Sequence, residues 1–176
     1  MGKRLFWWEA AGFLFVGVMG VLLHFLYEWS GGNLFAAVVS GVNESTWEHM
    51  KLLFVPTALF TVVQMFFTGR AYPDFLAART VSLLVGLILI PVLFYTYSGV
   101  LGKNVDWVNI SIFFLAALGM FLLDARLLRK GRLSAPWQQV LALMILWALV
   151  FVFVWCTFQP PRLGLWRDPV DGTFGI

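Results

Sequence analysis

Residues 138–158 read QQVLALMILWALVFVFVWCTF, a run that contains no Asp, Glu, Lys or Arg. An apolar run of about 20 residues is what a helix needs to cross a hydrocarbon core about 30 Å thick. Backbone amides have no water to bond there, so the run must be helical. Transmembrane strands would alternate in polarity and be about half as long.

Four further runs of the same kind precede it, at about 5–28, 47–68, 80–98 and 107–128. The fold class is therefore all-α: an integral membrane bundle of five transmembrane helices with short loops. Residues 1–176 form a single membrane domain, with a tail over 159–176. A chain that is 61% hydrophobic, 12% charged and of mean hydropathy +0.86 is no ordinary soluble domain. There is no internal repeat and no low-complexity segment. The first run has a basic start, but its apolar core is too long for a signal peptide, so it reads as a retained anchor.

Basic residues orient the bundle. With the N-terminus inside, Lys3, Arg4, Arg70, Arg79, Arg126, Arg129, Lys130 and Arg132 are cytoplasmic, against Lys51, Lys103, Arg162 and Arg167 outside. The positive-inside rule thus favours N-in/C-out, with an extracytoplasmic tail. Trp7, Trp8 and Trp137 then mark the inner interface, and Trp29, Trp47, Trp107 and Trp155 the outer one. The net charge of +3 follows from this topology and does not point to nucleic acid. The partners are the lipid bilayer and, at most, another membrane protein or a second copy. Cys156 is the one cysteine, so no intrachain disulfide forms; in an apolar helix it reads as a small buried side chain.

The densest chemistry lies at the entrance to the second span: Asn43-Glu44-Ser45-Thr46-Trp47-Glu48-His49-Met50-Lys51. Ser45 with Glu48 fits a capping box, in which Ser45 bonds the amide of residue 48 and Glu48 reaches back to the amide of Ser45. Asn43 is an alternative cap. Glu44, Glu48 and Lys51 are spaced i, i+4, i+7 and share one face if the helix starts early. Lys51 would then neutralise one of two neighbouring carboxylates, and like charges that close raise one pKa, as in a general acid. Glu44 and Glu48 are accordingly the candidate catalytic carboxylates. Asn43, Ser45, Lys51 and Asp168 are the candidate binding residues. A plain Glu48–Lys51 ion pair is the competing reading.

The first span adds His24 and Glu28, at i, i+4 near its outer end. The connection Trp29–Val42 makes the first two spans antiparallel neighbours. Both histidines of the protein then meet Glu28, Glu44 and Glu48. His24, Glu28 and His49 are the candidate metal ligands, with Glu44 beside them, for a divalent ion of the zinc kind. An interhelical His–Glu hydrogen bond is the alternative.

Elsewhere, Glu9 is expected to pair with Arg126 or Arg129, and Asp124 with Arg70, Arg79 or Lys130. Thr57, Thr61, Gln64 and Thr68 form a polar stripe in the second span. Glu48 and Thr57 are nine residues apart, so their faces are opposed by about 180°. No continuous polar path is expected, which ranks ion transport low. Pro56 and Pro91 free carbonyls at Leu52 and Leu87 and mark possible kinks. After Gln159-Pro160-Pro161-Arg162 the tail turns at Asp168-Pro169, and its Asp168 or Asp171 is placed to cover the His/Glu cluster.

The Asn43–Lys51 stretch, Pro56 and the ending Asp168-Pro169…Gly172-Thr173-Phe174-Gly175-Ile176 resemble an uncharacterised family of small prokaryotic multi-pass membrane proteins. The resemblance spans nearly the whole chain. It implies a prokaryotic cytoplasmic membrane and implies no activity. Two functional classes follow from the residues. One is a non-catalytic accessory, binding or carrier protein with a polar His/Glu cluster at the outer interface. The other is a membrane-embedded, metal-dependent enzyme acting on a lipid or lipid-linked substrate at the outer leaflet.

Overall fold

A computed structural model describes residues 2–176. It is all-α among those residues. The helices are α1 (Gly2–Trp29), α2 (Leu34–Val39), α3 (Thr46–Thr68), α4 (Phe75–Leu101), α5 (Asp106–Lys130) and α6 (Pro136–Phe158). Five of them, all but α2, are long and apolar enough to cross a membrane. The third expected span, 80–98, is longer at both ends, because Arg79 is drawn into the bundle rather than left in a loop.

The short α2 falls within the connection read as Trp29–Val42. Gly31 and Gly32 turn the chain with φ of 69° and 79°, values that suit glycine alone. Asn33 then caps the new helix by accepting from the amide of Phe35 at 2.8 Å. The apolar run Leu34–Val39 was masked in the sequence by its brevity.

α1, α3, α4 and α5 pack in a closed ring of neighbours, and α6 lies against α4. Phe153 of α6 reaches across to stack on Phe54 and Trp47 of α3. The core is centred on Val16, Leu53, Leu83, Ala116, Ala117 and Met120. α1 carries glycines where the rings of neighbours press closest. A Cβ at Gly12 would stand 2.5 Å from Phe121, and one at Gly20 2.4 Å from Phe113. The glycines of the first span therefore serve contacts within the chain.

α3 has almost no polar face to water. Thr57, Thr61, Gln64 and Thr68 are buried, and so are Glu48 and Lys51. The faces of Glu48 and Thr57 do not separate into a buried and an exposed side. At that end α3 is enclosed by α1, α2, α4, α6 and the tail, so both sides are interior. Trp47 is likewise buried between Phe153 and Trp166, and is no interface residue. The other tryptophans of the two expected belts, Trp8 excepted, are exposed.

Candidate functional site

Ser45 is the N-cap of α3, its hydroxyl accepting from the amide of Glu48 at 3.3 Å. The reciprocal half of the capping box is not made. The Ser45 amide donates instead to Asn43 Oδ1 at 3.0 Å, so Asn43 closes a turn ahead of the cap. Glu48 turns inward, where its Oε2 accepts from the amide of Val42 at 3.2 Å and pairs with Lys51 Nζ at 2.6 Å. Lys51 also donates to the carbonyl of Ala37 and to Thr157 Oγ1, each at 2.9 Å. All three ammonium protons thus find acceptors, as a fully buried lysine requires. The Ala37 carbonyl is one of the last four of α2, which have no partner within their own helix.

Glu44 takes no part in that pair. It precedes the helix and turns to the other side, toward α1. Its carboxylate lies 3.4 Å from His24 Nε2 and 3.7 Å from His49 Nε2. The expected face shared by Glu44, Glu48 and Lys51 therefore does not form, because Glu44 lies before the first helical turn. Glu48 is engaged by Lys51 and by the Val42 amide, as in the expected plain ion pair. The motif divides into a buried ion pair and a half-exposed His24–Glu44–His49 group.

One ligand atom from each of these three residues lies within 4.8 Å of the others. Glu28, one turn further along α1, is outside the group. The His49 ring is held by its Nδ1, 2.9 Å from the Ser45 carbonyl. A carbonyl only accepts, so Nδ1 carries a proton; Nε2 is then a lone pair in the neutral ring or a second donor in the charged one. Nε2 faces a carboxylate. In the neutral ring the two acceptors repel unless a cation or a proton lies between them. Metal-ligating histidines are usually oriented in this way, by donating the other ring N–H to a carbonyl or carboxylate.

The tail fixes Glu44. Asp168 is buried and its Oδ2 accepts from the Glu44 amide at 2.8 Å. Its Oδ1 accepts from the Val170 amide at 2.6 Å. Asn43 Nδ2 donates to the Gly175 carbonyl at 3.2 Å. Gly175, at φ 64°, passes so close to α6 that a Cβ there would stand 2.8 Å from the Thr157 carbonyl. Asp171 is turned away, and hydrogen bonds from Thr173 hold its carboxyl below the usual range. The tail covers the motif through backbone amides, and Asp168 positions the group rather than joining it. Replacing Asp168 with alanine should cost about 1–3 kcal/mol, chiefly from orphaning the amide of Glu44, with those of Val170 and Asp171 also losing their acceptor. Limited trypsin digestion should then cut after Arg167 much faster than in the parent protein.

The three residues line a cavity of about 460 Å³ between α1, α3, α4 and α5. Its other walls are largely apolar, among them Gly20, Leu52, Ile90, Phe94 and Phe113. Asn104, Asp106 and Asn109 at the start of α5 also line it. Sequence reading passed over these three. Their signal was available: under the same topology the fourth span begins at the same end as His24 and Glu44. Asn104 and Asn109 bond each other at 2.7 Å, and the Tyr97 hydroxyl joins both.

At the opposite end stands a second buried polar group. Arg79 Nη2 lies 3.3 Å from both oxygens of Glu9, 2.6 Å from Gln64 Oε1 and 2.9 Å from Asp124 Oδ2. The Asp124 contact is out of line for a hydrogen bond, so it is an ion pair by distance. Gln64 Nε2 completes the set by donating to Glu9 at 2.8 Å. Asp124 thus pairs with Arg79, as one of the expected partners. Glu9 pairs with Arg79 too, and not with Arg126 or Arg129, which sit further along α5.

No curated protein and no solved structure shows significant similarity to this chain. Residues 3–176 match a family model, and the chain belongs to that family, the family of unknown function DUF6512.

Proposed function

We propose that the chain is a multi-pass protein of a prokaryotic cytoplasmic membrane, N-in/C-out. In this reading its outer end holds a divalent cation of the zinc class on His24, Glu44 and His49. The cation faces a lipid or lipid-linked molecule in the adjoining cavity. The prokaryotic assignment rests on the sequence resemblance, and the orientation on basic residues. Arg79 and Lys51 are buried in ion pairs and drop out of that count, leaving seven against three in favour of N-in.

The carrying observation is the His49 ring. With Nδ1 donating to the Ser45 carbonyl, Nε2 of the neutral ring would face the Glu44 carboxylate as an acceptor, an arrangement that a cation, or a proton on Nε2, relieves. Tetrahedral zinc bonds of about 2.0–2.2 Å separate ligand atoms by about 3.3–3.6 Å. His24 Nε2 lies 3.4 Å from one Glu44 oxygen and His49 Nε2 3.7 Å from the other, and one atom from each residue lies within 4.8 Å of the rest, so the three would draw together around an ion. Two histidines and one carboxylate leave a coordination position open, and the cavity adjoins it. A cation there would polarise a bound carbonyl or phosphoryl oxygen, or lower the pKa of a water. This chain's own residues orient the ligands: Ser45 holds His49, Asp168 holds Glu44, and the apolar walls limit water.

The engaged state of Glu48 favours a second reading, a binding protein without turnover. Asp106 is then the one remaining carboxylate on the cavity wall besides Glu44, among the described residues. Metal analysis tests the site in either case. Protein purified with zinc and desalted should retain about one equivalent, and His49→Ala and Glu44→Gln should each lose it while remaining folded. Equal metal in the parent protein and in both variants overturns the site. Turnover of an added lipid ester that is lost with the metal distinguishes the enzyme from the binder.

A further inference from the structure

A second recess of about 310 Å³ runs along α1, lined by Phe13, Leu14, Gly17, Val18, Leu22 and the two residues it shares with the first cavity, Val21 and Phe114. The two adjoin at Val21 and Phe114, which line both, and together they are read as one path. Its head is polar, at His24, Glu44 and His49. Its far part is apolar throughout. Leu14, Val18, Val21 and Leu22 are exposed on the flank of the bundle, so the path opens sideways between α1 and α5. Gly17 keeps the floor low beneath the Phe114 ring, since a Cβ there would stand 2.9 Å from it. A polar head joined to a lateral apolar groove is the shape of an amphiphile drawn from the bilayer.

Charge narrows the class. No Lys or Arg lines either recess among the described residues, whereas Glu44 and Asp106 both line the first. A divalent cation on the His24–Glu44–His49 group would be balanced by these two carboxylates. Nothing then remains to attract a phosphate, and like charges would oppose it. The combined space is that of a drug-sized ligand, suited to one chain and a compact head.

We infer that the site takes a single-chain lipid with an uncharged, hydroxyl- or ester-bearing head, the head at His24, Glu44 and His49 and the chain along α1 past Val21 and Gly17. This rests on the cavity reading above and deepens it by naming the ligand class.

The test uses the full chain in detergent micelles with a monoacylglycerol carrying a photoreactive diazirine on its chain. Cross-linked peptides are identified by mass spectrometry, and zinc is measured on the same samples. Labelling is expected on residues 13–25 of α1 and near Phe114 of α5. Val21→Trp fills the shared passage from an exposed position and should lower labelling about tenfold with zinc content unchanged. Unlabelled monoacylglycerol should compete, and lysophosphatidic acid of the same chain length should not. Labelling that ignores Val21→Trp, or competition led by lysophosphatidic acid, overturns the inference. So does a dimer that Val21→Trp turns into monomer without any labelling, which would give this flank to a second copy. Loss of zinc in the parent protein is a separate failure, that of the cation site, and is read independently of the label.

Discussion

Arg79→Met should lower the stability of the bundle by about 3–5 kcal/mol, the usual cost of removing one partner from a buried ion pair. The side chain is fully buried on α4, and it holds Glu9 of α1, Gln64 of α3 and Asp124 of α5 through a single nitrogen. Its remaining N–H groups have no hydrogen-bond partner, but the guanidinium stands over the Phe121 ring at 5.0 Å and the Phe75 ring at 5.7 Å. Aromatic faces offer a cation partial compensation when water is absent. Removing the arginine leaves two carboxylates buried near one another with no counter-charge. Arg79→Lys should not rescue, because the shorter lysine lacks the reach and its compact ammonium cannot stack on the two rings as the planar guanidinium does.

The compensating variant separates structure from function. Combining Arg79→Met with Asp124→Leu and Glu9→Gln removes every charge while keeping an amide pair with Gln64. Replacing a whole buried charge set by neutral groups is often neutral or stabilising. The triple variant should therefore regain most of the lost thermal stability, measured by tryptophan fluorescence in detergent. An unchanged melting point in Arg79→Met would show that water reaches the network and that its burial is wrong.

The five long helices were legible because apolar length is a one-dimensional property; residues 138–158 suffice to show it. What was illegible depended on which residues meet in space. Arg79 looked like a loop charge and Lys51 like a charge in the first turns of a helix, since charge near the end of an apolar run is ordinarily at the interface. Each is instead buried by partners distant in the chain, Asp124 and Thr157 among them. Glu44 and Glu48 looked alike at i, i+4, but a helix beginning at Thr46 sends them to opposite sides. The meeting of His24 and His49 was foreseen, because it follows from an antiparallel hairpin alone. The place of Asp168 over the motif follows from topology, whereas its bond to the Glu44 amide follows from a turn geometry that spacing does not encode.

Lys51→Met should be as costly as the arginine change, about 3–5 kcal/mol by the same reasoning, but it should also reach the cation site. Lys51 ties α3 to the Ala37 carbonyl of α2 and to Thr157 of α6, besides its pair with Glu48. Without it, Glu48 is left as a buried carboxylate whose one remaining support is the Val42 amide. That amide lies two residues before Glu44, so slack there is passed directly to a candidate ligand. Zinc affinity should fall along with stability, although Lys51 does not line the cavity. The double variant Lys51→Met/Glu48→Gln removes both charges and should recover most of the stability; a double-mutant cycle measures the coupling. The competing idea, that Glu48 is a general acid, makes the opposite prediction. A catalytic acid replaced by glutamine loses activity and leaves the fold intact. A clasp replaced on one side, as in Glu48→Gln alone, leaves a buried ammonium short of its counter-ion, and the fold should weaken before any chemistry is measured.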